Sequence, residues 1–170
     1  MLRSLEQKRA NYAWKCIASL KADERRHIDE TSGLLTKIIK EMKSRKKREI
    51  SEDEIRKYYS KLEERYKPYV TKASTFIQMN GLGNTLAFYR SKFGAESEEK
   101  LNPDKRAYKL LYEHLNRWFK ECFKKNKDIL EWIVSEGTSS IEVFQVTNEI
   151  IALLNWMKRF AEAELKGEEE

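Results

Sequence analysis

Apolar residues recur every three or four positions along almost the whole chain, and no segment alternates convincingly with a period of two. Helical side chains return to the same face after three or four residues and strand side chains after two, so the pattern specifies an all-α fold. Leu2, Leu5, Tyr12, Ala13, Cys16, Ile17 and Leu20 set a first helix over about residues 3–21. After the charged stretch "ADERRHIDETSG", Leu34, Leu35, Ile38, Ile39 and Met42 set a second.

Start signals divide the remainder. In "SEDE" (51–54), Ser51 is placed to cap a helix while Glu54 reaches back to the cap, satisfying two orphan N–H groups reciprocally. The helix it opens carries Ile55, Tyr58, Tyr59 and Leu62, and Pro68 predicts a boundary or kink near Lys67, with Tyr69 to Met79 as a further helical piece. "LNPDK" (101–105) places Asn102 at the cap, Pro103 at the first helical position and Asp104 in the first turn. "SSIE" (139–142) repeats the capping-box logic with Ser139 and Glu142, and Asp128 to Val134 forms a shorter helix ending at Gly137. The expectation is a single-domain bundle of six or seven helices over residues 1–165, followed by an acidic tail, 166–170.

With 40% apolar residues in 170, such a domain can fill a real core without staples. The two cysteines, Cys16 and Cys122, stand far apart and lack zinc or redox spacing, so neither a disulfide framework nor a metal site is expected. Arg3, Glu6, Lys8 and Arg9 interrupt the opening segment before it reaches the length of a signal peptide or membrane span. These features predict a cytoplasmic chain with no membrane partner and no cofactor. Charged residues at 36% suit helices laced with (i, i+4) ion pairs and are compatible with a thermophilic source. A net charge of +6 points towards phosphate-rich partners.

The stretch "FIQMNGLGNTLAFYRSKFG" (76–94) poses the first functional choice. A phosphate-gripping glycine loop follows a strand, whereas the residues before Gly81 are helical, and neither GxxxxGK[ST] nor GxGxxG is matched. Gly81 is therefore expected to end one helix in a left-handed conformation, with a new helix starting near Gly83 or Asn84 and Leu82 pointing inward. Gln78, Asn80, Asn84 and Arg90 would gather at that corner.

Catalytic machinery is not evident. A two-histidine ribonuclease would need His27 and His114 to meet in space, and Arg106 and His114 are too widely spaced for the Arg and His pair of helical HEPN-class ribonucleases. His114 falls near an apolar stripe and reads as a partly buried structural histidine. Glu63 with Glu64, and Glu98 with Glu99, read as a solvated face without metal-ligand partners. No catalytic and no metal-binding residues are assigned.

On the helix that Pro103 opens, Ala107, Tyr108, Leu111, Leu115, Trp118 and Cys122 form an apolar stripe. Arg106, Lys109, Glu113, Arg117, Lys120 and Lys124 gather opposite, either as a rail for the phosphates of an extended strand or as an ordinary solvent face. On the last helix, Val143, Val146, Ile150, Leu154, Met157 and Ala161 form the core stripe, with Phe144, Ile151 and Trp156 projecting to either side. That helix is either the central one of the bundle or contributes Trp156 to a protein interface.

The blocks "YKPYVTKASTFIQMNGLGNTLAFYRSK" (66–92), "AYKLLYEHLNRWF" (107–119), "ILEWI" (129–133) and "LLNWMKRFAEAE" (153–164), in this order and spacing, resemble the small α-helical subunit of Cmr-type, type III-B CRISPR effector complexes. Residues 23–62 depart from the shorter family pattern and look like a charged helical insertion, so the basic cluster "KSRKKR" (43–48) takes no family role. The resemblance implies a non-enzymatic subunit of an antiviral complex. Several copies would stack into a minor filament beside the guide-RNA backbone subunits, lining the channel that holds the guide and target RNA duplex. By charge and helical facing, Lys72, Asn80, Arg90, Arg106, Lys109, Arg117 and Lys120 are the expected RNA contacts, and Trp156 and Phe144 the expected subunit contacts. Two rivals are a free-standing helical RNA-binding protein and a metal-independent ribonuclease using His27 or His114.

Overall fold

The computed structural model describes residues 4–21, 51–95 and 102–167, and every regular element among them is helical. Ser4 opens α1 (Leu5–Ala18) with a capping box closed by Gln7. The long α2 (Glu52–Asn80) is capped by Ser51 and Glu54, as their spacing predicts. A single residue separates it from α3 (Leu82–Phe93). Asn102 caps α4 (Pro103–Phe123), Asp128 caps the short α5 (Ile129–Ile133), and Ser139 with Glu142 caps α6 (Ser140–Glu164). The helix expected around residues 34–42 lies outside the described residues, as do His27, Glu98 and Glu99.

Helix α2 is the spine of the bundle. Its 29 residues span roughly 43 Å at about 1.5 Å per residue, and it packs against α3, α4 and α6, while α1 lies along α6. Tyr59, Leu62, Tyr66, Val70 and Ala73 of α2 meet Leu111, Leu115 and Phe119 of α4, Ile150, Leu154 and Met157 of α6, and Ala13 and Ile17 of α1 in one continuous core. Residues 51–62, read from sequence as the end of a charged insertion, are thus the first part of α2, with Tyr59 and Leu62 in the core.

Pro68 lies inside α2 and does not end it, so of the boundary or kink expected near Lys67 the boundary is absent. The missing N–H removes one helical bond, but Tyr66 and Val70 on either side are fully buried, and packing overrides the local preference. The carboxylate of Glu63 also departs from expectation: it is buried, not solvated, and its Oε1 accepts from the Lys166 backbone N–H at 2.6 Å. Lys67 Nζ donates to the Leu165 carbonyl at 2.7 Å, so two α2 side chains hold the segment that leaves α6.

At the α2–α3 corner, Gly81 serves both helices. Its φ of 81° and ψ of 159° lie in an extended positive-φ region open essentially to glycine alone, rather than in the left-handed helical region expected. The new helix begins at once, at Leu82, which is buried. A β-carbon at Gly83 would stand 3.2 Å from Ile133 Cγ2, so this position admits the close approach of α5 to α3.

Candidate nucleic-acid and subunit-contact surfaces

The corner carries exposed polar and aromatic groups together. Tyr69, Lys72, Phe76 and Asn80 share one face of α2 by helical spacing. Lys72 is exposed and has no ion pair among the described residues, and Asn80 Nδ2 donates to the Phe76 carbonyl at 3.1 Å. Arg90 of α3 lies 3.4 Å from Asp128 Oδ1. The same oxygen accepts from Tyr112 Oη at 2.6 Å and from the Leu130 N–H at 3.0 Å. Arg90 therefore ties α3 to the cap of α5 while its side chain stays 45% exposed.

The α4 rail divides. Arg106 is only 3% exposed and its Nε donates to Tyr58 Oη at 2.7 Å, which makes it an interior link between α4 and α2 and removes it from any solvent-facing row. Lys109 is half-buried and stands 4.0 Å from Glu113. Arg117 is exposed and Lys120 partly so, with exposed Glu113 and Glu121 interspersed among them. The outer face of α4 is thus a mixed face whose available cations lie towards its C-terminal half.

His114 is buried, with Nδ1 2.7 Å from Tyr66 Oη. Burial, reinforced by the nearby Arg117 charge, lowers its pKa to about 3, and burial pushes the Tyr66 phenol well above its ordinary value. A neutral ring held between helices cannot exchange protons with RNA at the surface, so His114 is structural, as its place on the apolar stripe predicts. Among the described residues no three potential metal ligands of the His, Cys, Asp and Glu types converge. No described helix is long and apolar enough to cross a membrane.

The two expected interface aromatics behave differently. Trp156 is half-buried, tilts against Phe160 with ring centroids 5.5 Å apart, and its Nε1 donates to Glu6 Oε1 at 2.8 Å, so it serves the α1–α6 contact. Phe144 is 65% exposed, and Ile141 one turn before it is 69% exposed. Val134, at the end of α5, is 73% exposed. The α5–α6 junction thus displays three large apolar side chains, of which the sequence reading singled out one. Ile141 and Val134 carry no sequence signal of this kind, since each lies at a helix end, outside the core stripes.

The helical bundle has a known counterpart. A family model described as CRISPR-associated protein (Cas_Cmr5) matches residues 40–164, a span containing all of α2 to α6. The solved X-ray structure of a CRISPR-associated Cmr5 family protein from Thermus thermophilus is similar in fold, with a TM-score of 0.51 over 97% of this chain and 100% of that chain at 17% identity. The family match covers well over half the sequence and the whole of the spine and its corner, and the chain belongs to the Cmr5 family of CRISPR-associated proteins.

Proposed function

We propose that this chain is the non-catalytic small subunit of a type III-B Cmr RNA-guided complex that acts in antiviral defence. In this reading, copies of the chain stack into a minor filament beside the guide-RNA backbone subunits and contact target RNA through its phosphates. The observation that carries the proposal is the family match over residues 40–164. Sequence-independent phosphate contact suits a subunit that must accept any target the guide pairs with, since base pairing then supplies the specificity.

The surface chemistry supports a division of labour. Lys72, Asn80, Arg90, Arg117 and Lys120, with Lys109 at the edge, are the proposed RNA contacts, and Arg106 is left out because it is buried. Phe144, with Ile141 and Val134, is the proposed contact with a neighbouring copy or subunit, because exposed apolar groups of this size gain most from being covered. Trp156 is assigned to the chain's own α1–α6 contact. Of the stretch 23–62, residues 23–39, which precede the matched span, are proposed as an addition to the family pattern.

Reconstitution tests the proposal. A Cmr-type complex assembled without this chain is expected to hold target RNA more weakly, and adding the purified chain to restore that affinity. Target affinity that is the same with and without the chain, in complexes of proven composition, would sink the RNA-contact role.

A further inference from the structure

The α2–α3 corner presents aromatic rings between cations. Phe76 is 42% exposed and no other ring lies against it among the described residues. Phe88 of α3 is 44% exposed, meets Tyr108 edge-on with centroids 6.0 Å apart, and has Lys92 Nζ 4.7 Å from its ring centre. Tyr108 in turn stacks on Tyr69 at 3.9 Å with the planes 17° apart, and the Tyr69 hydroxyl donates to Asp104. Tyr69, Tyr108 and Phe88 form a strip running from α2 across α4 to α3, and Lys72 and Phe76 extend it along the α2 face that Tyr69 occupies. Neither Lys72 nor Lys92 has a carboxylate partner among the described residues.

From this geometry we infer that the strip is a stacking platform for unpaired bases of single-stranded RNA. It deepens the RNA-contact reading above and rests on it. Every base has a π face, so aromatic side chains on a fixed scaffold accept any sequence, and flanking lysines neutralise the phosphates between successive bases. The stacked tyrosine pair is held by the Asp104 bond, so the platform is ordered before the strand arrives. A protein partner fits less well: lysine is depleted from the cores of protein interfaces, and here two exposed lysines flank the exposed rings. Duplex RNA, with its bases stacked on each other, offers the strip only phosphates.

The test titrates the full chain at low salt with three oligomers of equal length: single-stranded uridylate RNA, the same backbone lacking its bases, and an RNA duplex. The inference expects the single strand to bind about fivefold or more tighter than the abasic strand. Phe76→Ala with Phe88→Ala should abolish that margin in a chain that still melts cooperatively, and Phe76→Tyr with Phe88→Tyr should keep it. Equal affinity for based and abasic strands, or a double alanine variant that keeps the margin, overturns the platform and leaves phosphate contact standing. Loss of co-purifying subunits in the double alanine variant with the margin intact would reassign the strip to a protein interface. Failure to bind any of the three oligomers overturns the platform, while the RNA-contact reading is decided by the reconstituted complex.

Discussion

Arg9 and Glu149 join the first helix to the last through a two-pronged contact, with Nε 2.9 Å from Oε1 and Nη2 2.8 Å from Oε2. Their side chains are only 12% and 10% exposed, and Trp118 Nε1 of α4 donates to the same carboxylate at 3.0 Å. Glu149 thereby fastens three helices, and its hydrogen bonds, with its charge behind them, raise the pKa of the Arg9 guanidinium above its ordinary value.

Removing Glu149 takes both of its charge-assisted bonds from the mostly buried Arg9 and leaves exposed Glu6 as the remaining carboxylate beside it. Glu149→Ala is expected to lower the unfolding free energy by about 3 kcal/mol, read from urea denaturation. Replacing both partners, Arg9→Met with Glu149→Leu, should cost less than the single substitution, because no mostly buried guanidinium is left to lose its two-pronged partner.

Gly81 holds a conformation that a side chain resists. Gly81→Ala is expected to destabilise the chain by about 1–3 kcal/mol even though nothing lies within 4 Å of the added carbon. A thermal melt unchanged from the parent would show that the corner can relax into an ordinary turn.

His114 links stability to pH. Its folded pKa, about 3, lies below the unfolded value near 6.5, so between these values the unfolded chain binds a proton that the folded chain does not. Stability from this group is therefore present above about pH 6.5 and is lost as pH falls towards 3, with a limiting slope of about 1.4 kcal/mol per pH unit. His114→Gln should lower stability at neutral pH through the Tyr66 contact, yet flatten the decline between pH 6.5 and 5, before most carboxylates titrate. Denaturant midpoints across that interval provide the check.

Arg117 and Arg106 share a helix but not a role. Arg117→Glu with Lys120→Glu is expected to weaken target-RNA binding by the assembled complex and to reduce the slope of log affinity against log salt by about 1.5. Arg106→Ala should instead cost about 1.5–3 kcal/mol of stability through its lost bond to Tyr58, with the salt slope of RNA binding retained.

These contrasts show which features the sequence makes legible. Helix starts were, because a cap is local: Ser51 with Glu54, Asn102 with Pro103, and Ser139 with Glu142 lie within four residues of one another. Side chains whose partners are remote in sequence were not. Arg106 finds Tyr58 48 residues away, Glu63 meets Lys166 103 residues away, and Arg9 meets Glu149 140 residues away. A helical wheel places each of these on a face but cannot name what covers that face. The continuation of α2 through Pro68 was illegible for the same reason, since the packing of Tyr66 and Val70 that carries the helix is tertiary.

Affinity purification of this chain from its native cell, identifying every co-purifying protein and RNA, tests membership of an RNA-guided complex most directly. Recovery with guide-RNA backbone subunits and short guide RNAs is predicted, and Phe144→Glu should reduce that recovery while leaving the thermal melt unchanged. Recovery of the chain alone, or with unrelated RNA and no other subunit, would contradict the account.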